Sequence, residues 1–166
     1  MSEPRVIIVM GSDSDWPTMK KCYDLLQEFD ITCKVQVASA HRTPAQAMEL
    51  ASTARDKGVQ VIIAAAGMAA HLGGVIAAHT TLPVIGVPMS GGMLDGLDAL
   101  LSTVQMPPGI PVATVGVGSA GAKNAALLAV QMMGIADKTL AEKMAQYKKD
   151  MADTVIAKNA KLQKEL

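Results

Sequence analysis

Aromatic side chains are nearly absent from this 166-residue chain: Trp16, Tyr23, Phe29 and Tyr147 are the whole set. None falls in a cluster of loop residues, so a flavin-binding electron carrier, which needs rings to stack on isoalloxazine, is disfavoured. Cysteine is scarce too. Cys22 and Cys33 are not in a CxxC arrangement, and with only three scattered histidines they make no metal-site pattern. Both are expected to be reduced, partly buried thiols, and no metal is expected. An excess of either charge is missing, because fifteen basic residues balance fifteen acidic ones. The one basic concentration, near the C-terminus, is diluted by acidic residues, so nucleic-acid binding by phosphate neutralisation is not expected. There is no unbroken run of eighteen apolar residues to span a membrane. The chain opens almost directly into a strand pattern, without a charged segment leading to an apolar one and a cleavage site, and a cytoplasmic location is the expectation.

What the chain does have is apolar mass: half its residues are hydrophobic and 18% are charged. A single domain of this length buries roughly 70% of its unfolded surface. Zero net charge with positive mean hydropathy (+0.28) suggests that some apolar surface is hidden against other subunits. Strand-type runs appear at Val6 to Met10, Cys33 to Ala38, Val61 to Ala65, Val84 to Val87 and Val112 to Val115. Helical patterns lie between them near 16–29, 44–57, 70–79, 95–104 and 119–133. Near-continuous apolar strands alternating with helices imply a parallel sheet covered on both faces. The fold class expected is α/β, a flavodoxin-like doubly wound sheet of five parallel strands, with 1–166 as one domain.

From about Asp137 the pattern changes. Leu140, Met144, Tyr147, Met151, Val155 and Leu162 make one narrow apolar stripe on an otherwise polar helix, and no strand follows. Nearly thirty helical residues would run roughly 40 Å, longer than the core of a small domain is wide. Residues 137–166 are therefore expected to pack on a neighbouring subunit.

The chemistry collects in the loops after the strands. Ser39-Ala40-His41-Arg42-Thr43-Pro44 precedes an Ala-rich helix. Thr43 and Gln46 have capping-box spacing and Pro44 the first helical position, so a helix should start there. That puts His41 and Arg42 beyond the carboxyl end of a strand, the edge where open α/β sheets bind small ligands. A proton-transfer group beside a fixed cation suits a phosphorylated substrate. After the first strand, Gly11-Ser12-Asp13-Ser14-Asp15 offers backbone and hydroxyl donors to phosphate, and Asp15 an acceptor for ribose hydroxyls. After the third, Ala66-Gly67-Met68-Ala69-Ala70-His71-Leu72-Gly73-Gly74 leaves room for a planar ring and adds a second histidine. Met89-Ser90-Gly91-Gly92-Met93 is expected to form a lid or a floor. His79 lacks a loop context and is read as structural.

Two other readings fail. Gly116-x-Gly118-x-x-Gly121 matches a dinucleotide fingerprint, but no later strand with a terminal acid follows it, and close helix–sheet packing accounts for the glycines. A phosphorylated receiver domain needs a carboxylate after the third strand, where this chain has Ala66-Gly67-Met68.

Taken together, the first loop, Ser39 to Pro44, Gly67-x-Ala69-Ala70-His71-Leu72 and Gln105-Met106-Pro107-Pro108-Gly109-Ile110-Pro111-Val112 resemble the class I N5-carboxyaminoimidazole ribonucleotide mutases of purine biosynthesis, over nearly the whole chain. The related class II carboxylases, which use free carbon dioxide, carry Lys-Gly-Pro where this chain has Arg42-Thr43-Pro44. Met68 stands where the family often has glycine, and Gly73 where it often has proline. The resemblance implies that Ser12, Asp15 and Arg42 hold the ribose phosphate, with Ser14, Ser39 and Gly67 as further substrate contacts. It implies that His41 is the general acid/base and His71 a supporting catalytic residue. It also implies a homo-octamer with neither metal nor organic cofactor. The competing reading from another class is a non-catalytic nucleotide-binding module, which would not require paired histidines on one edge.

Overall fold

Val6–Met10 (β1) is apolar at every position and buried at every position, which requires cover on both faces of the sheet it joins. The computed structural model describes residues 3–166 and supplies that cover. Cys33–Val37 (β2), Val61–Ala66 (β3), Val84–Pro88 (β4) and Ala113–Thr114 (β5) join β1 in one sheet of order β2-β1-β3-β4-β5, with every pairing parallel. This is the doubly wound order, and its direction reverses between β1 and β3. β3 is buried up to its last residue and β4 throughout, whereas the edge strands β2 and β5 are only partly covered.

Side chains alternate across the sheet, so its two faces can be followed separately. Ile7, Val9, Ile62, Ala64 and Val84 join Ala47, Leu50, Ala51 and Ala54 of Pro44–Ala54 (α2) and Leu72 and Ile76 of Leu72–Ala78 (α3) in one core cluster. Val6, Ile8, Ile63 and Ile85 point the other way and are equally buried. Each buried branched side chain contributes roughly 1.5–3 kcal/mol relative to exposure. Trp16–Glu28 (α1) buries Met19, Cys22, Leu25 and Leu26, and Lys21 reaches from it to Ser119 with a 2.7 Å hydrogen bond. Cys22 and Cys33 are both free. Burial pushes the Cys33 thiol up to about 11 and Cys22 further, so neither is an activated nucleophile.

The helix expected over 44–57 stops as an α-helix at Ala54 and tightens into a 3-10 turn over Arg55–Lys57, which Gly58 ends at φ 75°. The last strand is shorter than its sequence pattern, only two residues long. Leu97–Val104 (α4) lies close over β4. A Cβ on Gly86 would collide with Thr103 Cγ2 and come 2.9 Å from Val112 Cγ1.

Gly118–Gly134 (α5) buries a row of small residues, Gly121, Ala122, Ala125, Ala126 and Ala129. The glycines of the spurious fingerprint serve the start of this helix. A Cβ on Gly121 would overlap the Gly116 carbonyl, so the close approach is of the helix to its own preceding loop and not to the sheet. The chain through Ala129 forms one compact unit and Val130–Leu166 a second. In the second, Gly134 lies 3.5 Å or less from the backbone of Ala141, by the measure of where its Cβ would sit. Asp137 caps Lys138–Glu165 (α6) by accepting from the Leu140 N–H at 3.3 Å. Leu140 and Met144 are buried, while Met151, Val155 and Leu162 further along the stripe, and Ile156 outside it, are exposed. No helix among the described residues is long and apolar enough to cross a membrane.

Candidate active site

Parallel strands deliver all their carboxyl ends to one edge, and there the loops after β1, β2, β3 and β4 enclose a cleft of about 540 Å³. Ser12, Ser14, Asp15, Ser39, His41, Arg42, Gly67 and His71 all line it. The residues singled out along the sequence are therefore neighbours in space, although they come from three separate loops.

The β2–α2 loop is shaped by Ser39. Its Oγ accepts from the backbone N–H groups of Arg42 (3.1 Å) and His41 (3.3 Å). Its own N–H donates to Thr43 Oγ1 at 2.9 Å, and the Thr43 N–H donates to the Ser39 carbonyl at 3.0 Å. Helix α2 does start at Pro44, but the expected capping box is not formed, because the Thr43 hydroxyl is already committed to Ser39. The result is a tight, internally bonded turn that fixes the directions of His41 and Arg42.

His41 Nε2 meets His71 Nδ1 at 3.0 Å, with ring centroids 5.1 Å apart and planes at 87°. One nitrogen must donate and the other accept, so the two imidazoles share one proton across the contact. His71 reaches this position from the residue just before α3, and both rings are exposed to the cleft. Arg42 lies along the same edge. Its Nη2 donates to the Gly11 carbonyl at 2.6 Å, tying the second loop to the first. Its Nε lies 3.5 Å from Ser39 Oγ, no carboxylate forms an ion pair with it among the described residues, and it lines the cleft.

The first loop forms a 3-10 turn over Asp13–Asp15. Ser12 Oγ accepts from the Ser14 N–H (3.3 Å) and the Ser14 hydroxyl (2.8 Å), and donates to Asp13 at 3.3 Å. Burial, with a smaller contribution from Asp13, holds the Asp15 carboxyl above the ordinary aspartate range.

The third and fourth loops supply the apolar side of the cleft through Ala66, Ala69, Leu72, Met68 and Met89. Ala70 donates its N–H to Ser102 Oγ at 2.9 Å, which anchors the third loop to α4. Ser90, Gly91 and Gly92 line the same side. Met89 to Gly92 of the loop expected to form a lid or a floor thus reach the cleft. His79 is remote from the cleft. Its Nδ1 pairs with the Val75 carbonyl at 2.8 Å, as a structural histidine at a helix end does. No cluster of three or more potential metal ligands occurs among the described residues.

Comparisons with known proteins give the family and the fold. A family model described as AIR carboxylase matches residues 5–154. The N5-carboxyaminoimidazole ribonucleotide mutase of Mycobacterium tuberculosis (strain H37Rv) is 55% identical over 161 residues, covering 97% of this chain and 91% of its own length. That of Bacillus subtilis is 51% identical, covering 96% and 99%. Among solved structures, Treponema denticola PurE superimposes with a TM-score of 0.85 at 30% identity, covering 96% of this chain and 98% of its own.

Proposed function

Because the chain belongs to the AIR carboxylase family, we propose that it carries out the N5-carboxyaminoimidazole ribonucleotide mutase reaction of purine biosynthesis. The carboxylate of the carbamate moves from the exocyclic nitrogen to a ring carbon. The single observation that most supports this reading is the His41–His71 contact, set on the same rim as the unpaired Arg42 guanidinium.

The chemistry balances without an external reagent. The carbamate N–C bond breaks and carbon dioxide leaves, the bonding pair stays on nitrogen, and nitrogen takes a proton from imidazolium. The ring carbon then attacks the carbon dioxide, and its C–H proton returns to the imidazole. One histidine can serve both steps, giving a proton in the first and taking one in the second. His41 is that residue in this account, with His71 sharing its proton across the 3.0 Å contact. Arg42, Ser12 and Asp15 bind the phosphoribosyl end. Ser14 and Gly67 add contacts, and Ser39 shapes the turn and can still turn its hydroxyl proton toward the substrate. Binding energy at that remote end fixes the ring against His41.

The stripe beyond Met144 on α6 is exposed along the isolated chain, which supports a homo-oligomer, an octamer by family resemblance, in which residues 137–166 pack on a neighbour. Residues 1–166 then act as one α/β domain in the cytoplasm. The test compares two feeds: carboxyamino ribonucleotide in buffer stripped of bicarbonate, and aminoimidazole ribonucleotide with bicarbonate. Product from the first feed is expected. Efficient turnover confined to the second would instead make the chain a carboxylase that uses free carbon dioxide.

A further inference from the structure

Among the residues lining the cleft, Met68 alone breaks a conformational rule. Its φ is 53°, in the left-handed region. The other non-glycine residues described there, Asp30 and Asp95, are of a type that tolerates it, whereas a long unbranched side chain does so only at a cost. Strained backbone persists where its surroundings or its use require it. The surroundings of Met68 do not bury it: 65% of the residue is exposed, so the strain is not offset by core packing.

What the conformation does is carry the side chain across from the third loop to the fourth. A Cβ on Gly92 would lie 3.2 Å from Met68 Cγ, so Gly92, itself at φ 70°, leaves the space that Met68 occupies. Below this bridge, Met89 is buried and packs close to Gly67, where an added Cβ would stand 3.5 Å from Met89 Cβ. Two thioethers, Met68 and Met89, thus line the cleft.

We propose that Met68 is a specificity-determining residue, an apolar bar between the third and fourth loops that keeps released carbon dioxide inside the cleft until the ring carbon captures it. The proposal rests on the mutase reading above. Carbon dioxide is small and uncharged, so it is retained by closing exits with apolar surface and not by ion pairing. A flexible thioether fills an irregular gap of that kind well. Any molecule that escapes between the two half-reactions is replaced by one from solution, which makes escape measurable.

The experiment converts the carboxyamino ribonucleotide in buffer holding isotopically labelled bicarbonate, kept in equilibrium with dissolved carbon dioxide, and weighs the product early in the reaction. Wild type and Met68→Leu, which keeps the apolar bulk, are expected to incorporate little label. Met68→Gly and Met68→Ala are expected to incorporate several-fold more per turnover, a readout that mere loosening of structure would not move in parallel with restoration by leucine. Glycine removes the backbone strain, so that variant is expected to fold, and circular dichroism checks it. Turnover by Met68→Gly and Met68→Ala with no more label than wild type overturns the role of Met68 and leaves the mutase reading standing. Absence of any turnover by wild type overturns both.

Discussion

His41 and His71 meet through Nε2 and Nδ1 at 3.0 Å, with their rings nearly perpendicular. Each imidazole has no other hydrogen-bond partner among the described residues, so each supplies the other's orientation. The contact needs one donor and one acceptor nitrogen, and neither of the remaining two ring nitrogens has a partner among the described residues. The pair is built from two loops that the sheet order makes neighbours, after β2 and after β3, on either side of β1.

Among the described residues, Arg42 is the only arginine or lysine lining the cleft. Arg42→Ala is expected to weaken binding of a ribonucleotide by roughly 1.5–3 kcal/mol, about 10- to 150-fold, the scale of a lost charge-assisted hydrogen bond. Binding of the matching nucleoside should change far less. Titration calorimetry with both ligands checks this, and equal losses for the two would place the phosphate elsewhere. Arg42→Lys should recover part of the loss, since charge remains while the planar fork and its bond to the Gly11 carbonyl do not.

Asp15 gives a prediction about pH. Burial first, and Asp13 second, raise its pKa in the folded chain. The folded state then holds the Asp15 proton more tightly than the unfolded state, so this residue costs stability as pH rises. The cost is absent below the unfolded value, near pH 4, and complete once pH exceeds the folded value. Asp15→Asn should therefore melt above wild type at about pH 7 and show no advantage below about pH 4, while binding substrate less well. Melting curves across that range test the sign, and a wild-type advantage at neutral pH would contradict it.

Gly86 tests the packing of α4 on β4. Its missing Cβ is the space into which Thr103 Cγ2 and Val112 Cγ1 project. Gly86→Ala should cost about 1–3 kcal/mol by overpacking, lowering the urea midpoint without changing the slope. The same change at Gly116, where an added Cβ meets nothing within 4 Å, should be much milder.

Much of this architecture was legible along the chain for a physical reason. Strands buried on both faces must be apolar at consecutive positions, and β1, β3 and β4 are. Once the strands are placed, parallel order forces the loops holding Ser12, His41 and His71 to one edge. Features decided by side-chain competition were not legible. Thr43 has capping-box spacing, yet its hydroxyl bonds Ser39, and nothing in local spacing announces that choice. The close approach at Gly121 is to the Gly116 carbonyl of the preceding loop, which the spacing of the fingerprint glycines does not announce. Family resemblance marked Met68 as unusual. The left-handed φ supplies the reason glycine suits that position, and backbone angles cannot be read from composition.

The proton carrier is tested most directly by His41→Asn, which keeps a polar side chain at the head of the turn while removing the titratable ring. Carboxyamino ribonucleotide is supplied to it, with product formation and ligand affinity measured on the same preparation. Affinity within a few-fold of wild type together with no detectable product is expected, because the proposal places the phosphoribosyl end on Arg42 and the first loop. Substantial product from this variant would mean that some other group moves the proton.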